Sequence, residues 1–309
     1  MSVGVQPVAA GAYEEAAVER VRGRSARGTR PLRARRWSKG WRYVLLSLLS
    51  VLFLFPFYWI VNTALQTPRE SVSLPLTWWP KVPQLGNITA PYSLMPFAAM
   101  LEHSAIIVAA ATFGAVGSAA VCAYGFGRLQ FWGRDFWFMV VLTTLMLPYI
   151  VTFIPIYIIM KDIGWLDTLW PLIVPAWFGG GPFNIFLIRQ FMRTIPIEIE
   201  EAARVDGAST FRVFRSVMLP LLKPVLWVAA WYQAFASWGD LLGPLVYLTP
   251  EHTWTYTEGL YEFGATTTQN YLIPYEMSLA LIAMVPVLIA FFMVQGRLIE
   301  GVNLNSGIR

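Results

Sequence analysis

Six charge-poor stretches alternate with short polar segments along the chain, at Tyr43–Leu65, Ser104–Phe126, Phe136–Met160, Leu169–Ile188, Val225–Leu248 and Met277–Leu298. A helix needs ~20 mainly apolar residues, at ~1.5 Å rise each, to cross ~30 Å of hydrocarbon. Each stretch meets that requirement, so the pattern predicts six membrane-spanning helices and an all-α polytopic fold. Several spans hold proline, at Pro56, Pro148, Pro155, Pro171, Pro175, Pro182, Pro244 and Pro286. Membrane helices tolerate proline where neighbouring groups satisfy the freed carbonyls. Gly179-Gly180-Gly181-Pro182 predicts a break inside the fourth span, either a bend around a pore or a packing kink.

Composition agrees with this pattern. Hydrophobic residues make up 56% of the chain and charged residues 13%, against about 25% charged in a soluble domain. Lys and Arg fall unevenly: 20 lie in the two terminal segments and alternate loops, and 3 (Arg69, Lys81, Lys161) in the others. By the positive-inside rule both termini face the cytoplasm. The net charge of +5 is then topological and calls for no nucleic acid. Residues 1–40 read as a disordered basic cytoplasmic tail and 41–309 as the membrane domain. The tail's arginines could also meet anionic lipid. The first apolar run exceeds a signal-peptide core, which predicts an uncleaved first helix. The single cysteine, Cys122, forbids an internal disulfide and reads as packing.

Catalytic patterns are missing from the sequence. No G-x-x-x-x-G-K-[ST] loop is present to cradle nucleotide phosphates. The two histidines, His103 and His252, lie far apart and form no zinc or triad pattern. The expectation is a chain without enzyme activity, metal or cofactor. Uphill transport would then draw on an ion gradient or on another polypeptide.

One polar segment, about residues 194–220, has an unusual order. Ile195-Pro196 marks a helix start, and Glu198, Glu200 and Glu201 occupy its first turn, where the helix dipole favours acids. Glu200 and Arg204 sit at i,i+4 and can pair for ~0.3 kcal/mol. Asp206-Gly207 predicts a turn with Gly207 at positive φ. A second helix carrying Phe211, Phe214 and Val217 toward Leu219-Pro220 is expected to lie along the membrane surface.

Glu201-Ala202-Ala203, then Gly207, then Leu219-Pro220 resembles the "EAA" loop of binding-protein-dependent ABC importer permeases. Leu147-Pro148, Ile154-Pro155-Ile156-Tyr157, Gly164–Thr168, Asn184–Phe191, Gly243-Pro244-Leu245 and the residues from Gly301 onward extend the resemblance over about Trp41 to Arg309. They are similar to the carbohydrate-import branch, and most of all to the smaller permease of maltose-type importers. The resemblance implies an ABC type I importer permease fold and a sugar-like solute. It implies as partners an ATPase dimer that binds ATP and Mg, a second, unlike permease and an extracytoplasmic solute-binding protein. The setting it implies is a bacterial or archaeal cytoplasmic membrane. It also gives the loop residues roles: Ala202 and Ala203 a thin ridge entering a groove on the ATPase, Glu201 a charge for a basic partner, and Asp206-Gly207 the turn presenting the ridge. There are two departures, Trp238-Gly239-Asp240 where Trp-Asn-Glu is expected and His103-Ser104 in place of Asn-Ser. The first puts in doubt any transfer of sugar contacts to the fifth span.

A charge within a span is a functional candidate by default. Asp240 either lines a watery pore or sits at the outer interface or against a neighbouring helix. Gln233, Asn184 and Tyr149 carry the same choice between solute contact and helix packing, and Trp238, Trp59 and Trp177 between sugar stacking and interfacial anchoring. An ion-coupled secondary transporter is the competing class, and it predicts paired intramembrane ionisable groups and inverted repeats.

Overall fold

The computed structural model describes residues 39–266 and 272–303. The tail expected at residues 1–40 lies almost wholly outside the described residues, as do the last six positions of the C-terminal segment. Two compact units divide the chain, Met1–Phe57 and Tyr58–Arg309. The first unit carries the beginning of helix α1 (Lys39–Ala64), an apolar helix with Pro56 inside it.

The second unit is built on α2 (Phe97–Arg128). At 32 residues it is about 48 Å long, well beyond a ~30 Å hydrocarbon layer. Its two ends therefore serve different neighbours. Near the N-terminus, Phe97 and Met100 pack with Tyr256 and Phe263 of α9 (Tyr256–Thr266) and with Leu279 of α10 (Ile273–Asn303). Near the C-terminus, Ala119, Ala120 and Ala123 present a small-residue face. Against it pack Ile188 and Met192 of α5 (Pro182–Met192) and Met218, Leu222 and Val225 of α7 (Thr210–Trp238). Small residues let membrane helices approach closely, which compensates for the missing hydrophobic drive between helices in lipid.

Among the described residues, five helices are long and apolar enough to span, and a bent pair supplies the sixth. That pair, running Arg134–Met146 and Tyr149–Asp162, turns by 100° where one continuous third span was expected. The cause is local: Leu147 before Pro148 is extended (φ −75°, ψ 121°), as proline demands of its predecessor. We label its halves α3 (Arg134–Thr143) and α4 (Tyr149–Asp162). The expected break at Gly179–Gly181 is present, with all three glycines at positive φ. There a Cβ on Gly180 would lie 1.9 Å from the Ala115 carbonyl oxygen, and one on Gly114 would meet the Trp177 indole at 2.3 Å. The broken fourth span thus lies directly on the α2 backbone.

The fifth span is displaced from its expected bounds. α7 starts at Thr210, passes through a π turn at Phe214–Met218, and ends at Trp238. The helix expected to lie along the membrane surface is therefore the first turns of the span itself. Val213, Phe214 and Met218 are buried there in the core, which gives that segment an inward apolar face. After Gly239, Asp240 accepts a hydrogen bond from the Gly243 N–H (3.2 Å) at the head of α8 (Leu242–Tyr247).

Candidate functional site

The polar loop forms α6 (Glu198–Val205) between the fourth and fifth spans. Three acids fill its first turn, yet Glu200 alone among its residues is buried, with no exposed surface. Glu200 Oε1 lies 2.6 Å from Arg128 Nε at the end of α2, and both side chains are more than nine-tenths buried. Arg204 approaches the other carboxylate oxygen at 3.6 Å, realising the expected i,i+4 pair, and the Tyr124 hydroxyl donates to it at 3.3 Å. Arg128 Nη2 also donates to the Met192 and Ile195 carbonyls at 2.8 and 2.6 Å. These carbonyls lie at and just beyond the C-terminus of α5, where the negative dipole end favours a cation. One guanidinium therefore ties α2, α5 and α6 together.

The turn after α6 is a Schellman motif. Gly207 N–H bonds to the Arg204 carbonyl and Ala208 N–H to that of Ala203, both at 3.0 Å, with Gly207 at φ +81°. This is the 5→2 and 6→1 pairing that a left-handed residue after a helix permits. Ala203 and Ala208, the apolar positions of that motif, each pack against the core. Ser209 then accepts from the Arg212 N–H at 3.4 Å and starts α7.

The five loop residues singled out in the sequence therefore divide. Glu201, Ala202, Asp206 and Gly207 are exposed, whereas Ala203 is half-buried. The outer face of the loop also carries large apolar residues, Val205 at 88% exposure and Phe211 at 69%. Val205 ends α6 and Phe211 lies in the first turn of α7, and the described residues leave both uncovered. Sequence reasoning did not single out Arg128 or Tyr124 as site residues. The signal in the sequence is a cation, Arg128, closing a long apolar run.

The residues proposed for a solute pathway fall into neighbourhoods, Asn184 with Gln233 between the fourth and fifth spans and Tyr149 with Asp240 near Tyr247. Asn184 Nδ2 bonds to the Gly180 carbonyl (2.8 Å) and approaches Gln233 Oε1 (3.4 Å), and Gln233 Nε2 reaches the Ser237 hydroxyl (3.1 Å). These two residues join the fourth and fifth spans. Trp238 Nε1 donates to the Ala283 carbonyl at 3.1 Å, and its ring stacks on Tyr256 at 6.4 Å. Asp240 caps α8, and Tyr149 is exposed at the head of α4 beside Phe153. Of the other two tryptophans, Trp177 lies on Gly114 and beside Phe113, and Trp59 meets Trp78 edge-on. Ser104 accepts from the Tyr256 N–H at 2.8 Å and joins α2 to α9, and beside it His103, the departure from the family pattern, lies with Nδ1 3.1 Å from the Trp254 carbonyl oxygen. Among the described residues, no cluster of His, Cys, Asp or Glu could hold a metal.

Comparison with known proteins agrees with this architecture. Residues 115–301, more than half of the chain, match the family described as the binding-protein-dependent transport system inner membrane component. The chain belongs to that family. It is a multi-pass, non-catalytic membrane permease of an ABC importer, which works with an ATPase and a substrate-binding protein. Similar proteins include the permease protein NgcG of the diacetylchitobiose uptake system of Streptomyces coelicolor, 28% identical over 84% of this chain and 86% of the relative. The maltodextrin transport system permease protein MdxG of Bacillus subtilis is 27% identical over 87% and 96%. In fold the chain is similar to a bacterial ABC transporter involved in the import of alginate, with a TM-score of 0.72 and 21% identity over 82% of this chain and 94% of that one.

Proposed function

We propose that this permease imports a sugar or oligosaccharide and that the 194–220 loop is where its ATPase grips it. The first part is supported by the relatives, whose names assign them diacetylchitobiose and maltodextrin. The second rests on one observation: α6 and its C-cap Asp206 offer Glu201, Ala202, Val205 and Asp206 outward while Glu200 is locked into the membrane domain through Arg128. An element meant to transmit force needs an accessible face and a rigid root, and α6 has both. Ala203 belongs to the root, so the ridge is Glu201, Ala202 and Val205. The excess of Lys and Arg on that side supports a cytoplasmic placement for the loop and both termini. The chain then sits in a bacterial or archaeal cytoplasmic membrane beside a second, unlike permease.

ATP and Mg are bound by the partner ATPase dimer. Its closure and reopening shift α6, and Arg128 carries that shift to α2 and α5, changing the relative populations of inward- and outward-facing states. The test is affinity purification from gently solubilised native membranes, comparing wild type with Glu201→Lys by mass spectrometry. Wild type is expected to bring down a P-loop ATPase and the mutant to lose it. Retention of the ATPase by the mutant at wild-type yield would overturn the assignment of Glu201. Transport of a labelled oligosaccharide by the reconstituted complex checks the solute class.

A further inference from the structure

A second cationic site lies at the same end of the membrane domain, away from the ridge. Arg134 at the start of α3 and Arg189 and Arg193 at the end of the fourth span line an open cavity of about 430 Å³. Its remaining wall is apolar, formed chiefly by Phe138, Met139 and Leu142 of α3. Arg189 is fixed rather than mobile: its Nε donates to the Phe126 carbonyl at 3.1 Å, and its guanidinium lies over the Phe138 ring at 3.9 Å. Asp135 is the one acid in the wall, 3.1 Å from Arg134 Nε and 4.0 Å from Arg189 Nη2. Three guanidinia against one carboxylate leave two positive charges in excess. Arg193 is exposed, four residues beyond Arg189.

The surroundings fix the depth of this cavity. Phe131, Trp132, Phe136 and Trp137 are all exposed beside it, Trp132 by 91%. Exposed aromatics clustered with cations mark the membrane–water interface. A wall of guanidinia that gives way to an apolar strip has the amphipathic pattern of a phospholipid, and phosphate diesters suit the guanidinium fork.

We propose that this cavity binds an anionic glycerophospholipid, with its phosphodiester on Arg134, Arg189 and Arg193 and an acyl chain along Phe138, Met139 and Leu142. The ligand comes from the bilayer and not from solution. Placement in the cytoplasmic leaflet rests on the orientation proposed above, whereas the binding itself does not. Two surface cations against an anionic headgroup give an enrichment on the order of tenfold or more.

The test reconstitutes the intact importer, with its ATPase, in nanodiscs of equimolar phosphatidylcholine and phosphatidylglycerol. Lipid retained per permease is then counted by native mass spectrometry. Both leaflets contain both lipids, so failure here is distinguishable from a failure of orientation. Wild type is expected to retain phosphatidylglycerol about tenfold over phosphatidylcholine. Arg134→Gln with Arg193→Gln is expected to lose that preference, and the paired Lys replacements to keep it. Equal retention of the two lipids by wild type, or unchanged preference in the Gln pair, overturns the proposal. Displacement by millimolar inorganic phosphate also overturns it, by assigning the cavity to a soluble anion. Should the Gln pair fail to assemble, the wild-type ratio alone decides.

Discussion

Glu200→Gln is the most informative single change, because it removes a charge from a joint without removing volume. Glu200 has no exposed surface and Arg128 very little, and their contact is 2.6 Å. Removing one partner of such a pair costs about 3–5 kcal/mol, since the other charge stays buried and uncompensated. Arg128 keeps its bonds to the Met192 and Ile195 carbonyls at 2.8 and 2.6 Å, which puts the cost near the lower end, about 3 kcal/mol. At ~1.4 kcal/mol per tenfold, the detached state of α6 becomes more populated by on the order of 100-fold. The reporters are the amides of Asp206, Gly207 and Ala208, which bond back to Ala202, Arg204 and Ala203 and close α6. Their hydrogen exchange in the purified importer should accelerate by about that factor through local opening. The Gly259 amide, bonded to Thr255 at the start of α9, should be unaffected. Adding Arg128→Gln to Glu200→Gln should cost less than the two single changes summed, because neither charge is then stranded. An acceleration under about threefold, or an equal one at Gly259, would refute the joint.

Two further outcomes follow from the same structure. Gly207→Ala and Gly180→Ala should differ sharply. A Cβ at Gly207 meets nothing within 4 Å, so only its left-handed φ is penalised, by about 1–2 kcal/mol, and thermal melting of the complex should drop by a few degrees. A Cβ at Gly180 collides with the Ala115 carbonyl, so that variant should fail to assemble, as size-exclusion of the solubilised complex would reveal. Glu258, on α9 outside the spans, is buried, and desolvation pushes its carboxyl up to about 7 from an ordinary 4.5, helped by Glu262 and opposed by the Thr255 N–H. The folded state therefore holds its proton more tightly than the unfolded chain does. Stability from this group should fall as pH rises from about 4.5 to about 7 and flatten above that, and Glu258→Gln should abolish the slope in hydrogen exchange of α9.

Much of this was legible because lipid imposes strong rules. Charge-poor runs of span length located the helices, and the glycine triplet with Pro182 located the break in the fourth. Gly207 was legible too, since Asp-Gly after a helix calls for a turn residue that tolerates positive φ. The fifth span was misplaced because Leu219-Pro220 reads as a boundary. Here a π turn at Phe214–Met218 carries the helix through it. The third span's bend followed from Pro148, but eight prolines in the apolar runs gave no basis for choosing which would turn the chain. Arg128–Glu200 was hidden for another reason. The two are 72 positions apart, and pairing across that distance appears only once α2 and α6 are set side by side. Asn184 and Gln233 show the same limit: their 3.4 Å approach appears only once the fourth and fifth spans are set side by side.

The central claim is that one face of α6 meets the ATPase while the opposite face is rooted in the membrane domain. Disulfide cross-linking tests it directly. In a Cys122→Ala background, Val205→Cys and Ala203→Cys are each combined with a cysteine series along the groove of the partner ATPase. Val205→Cys should form a cross-link under mild oxidation and Ala203→Cys should not, because Val205 is exposed and Ala203 packs inward. A cross-link from Ala203→Cys, or none from Val205→Cys in a complex that still couples ATP hydrolysis to import, would contradict it.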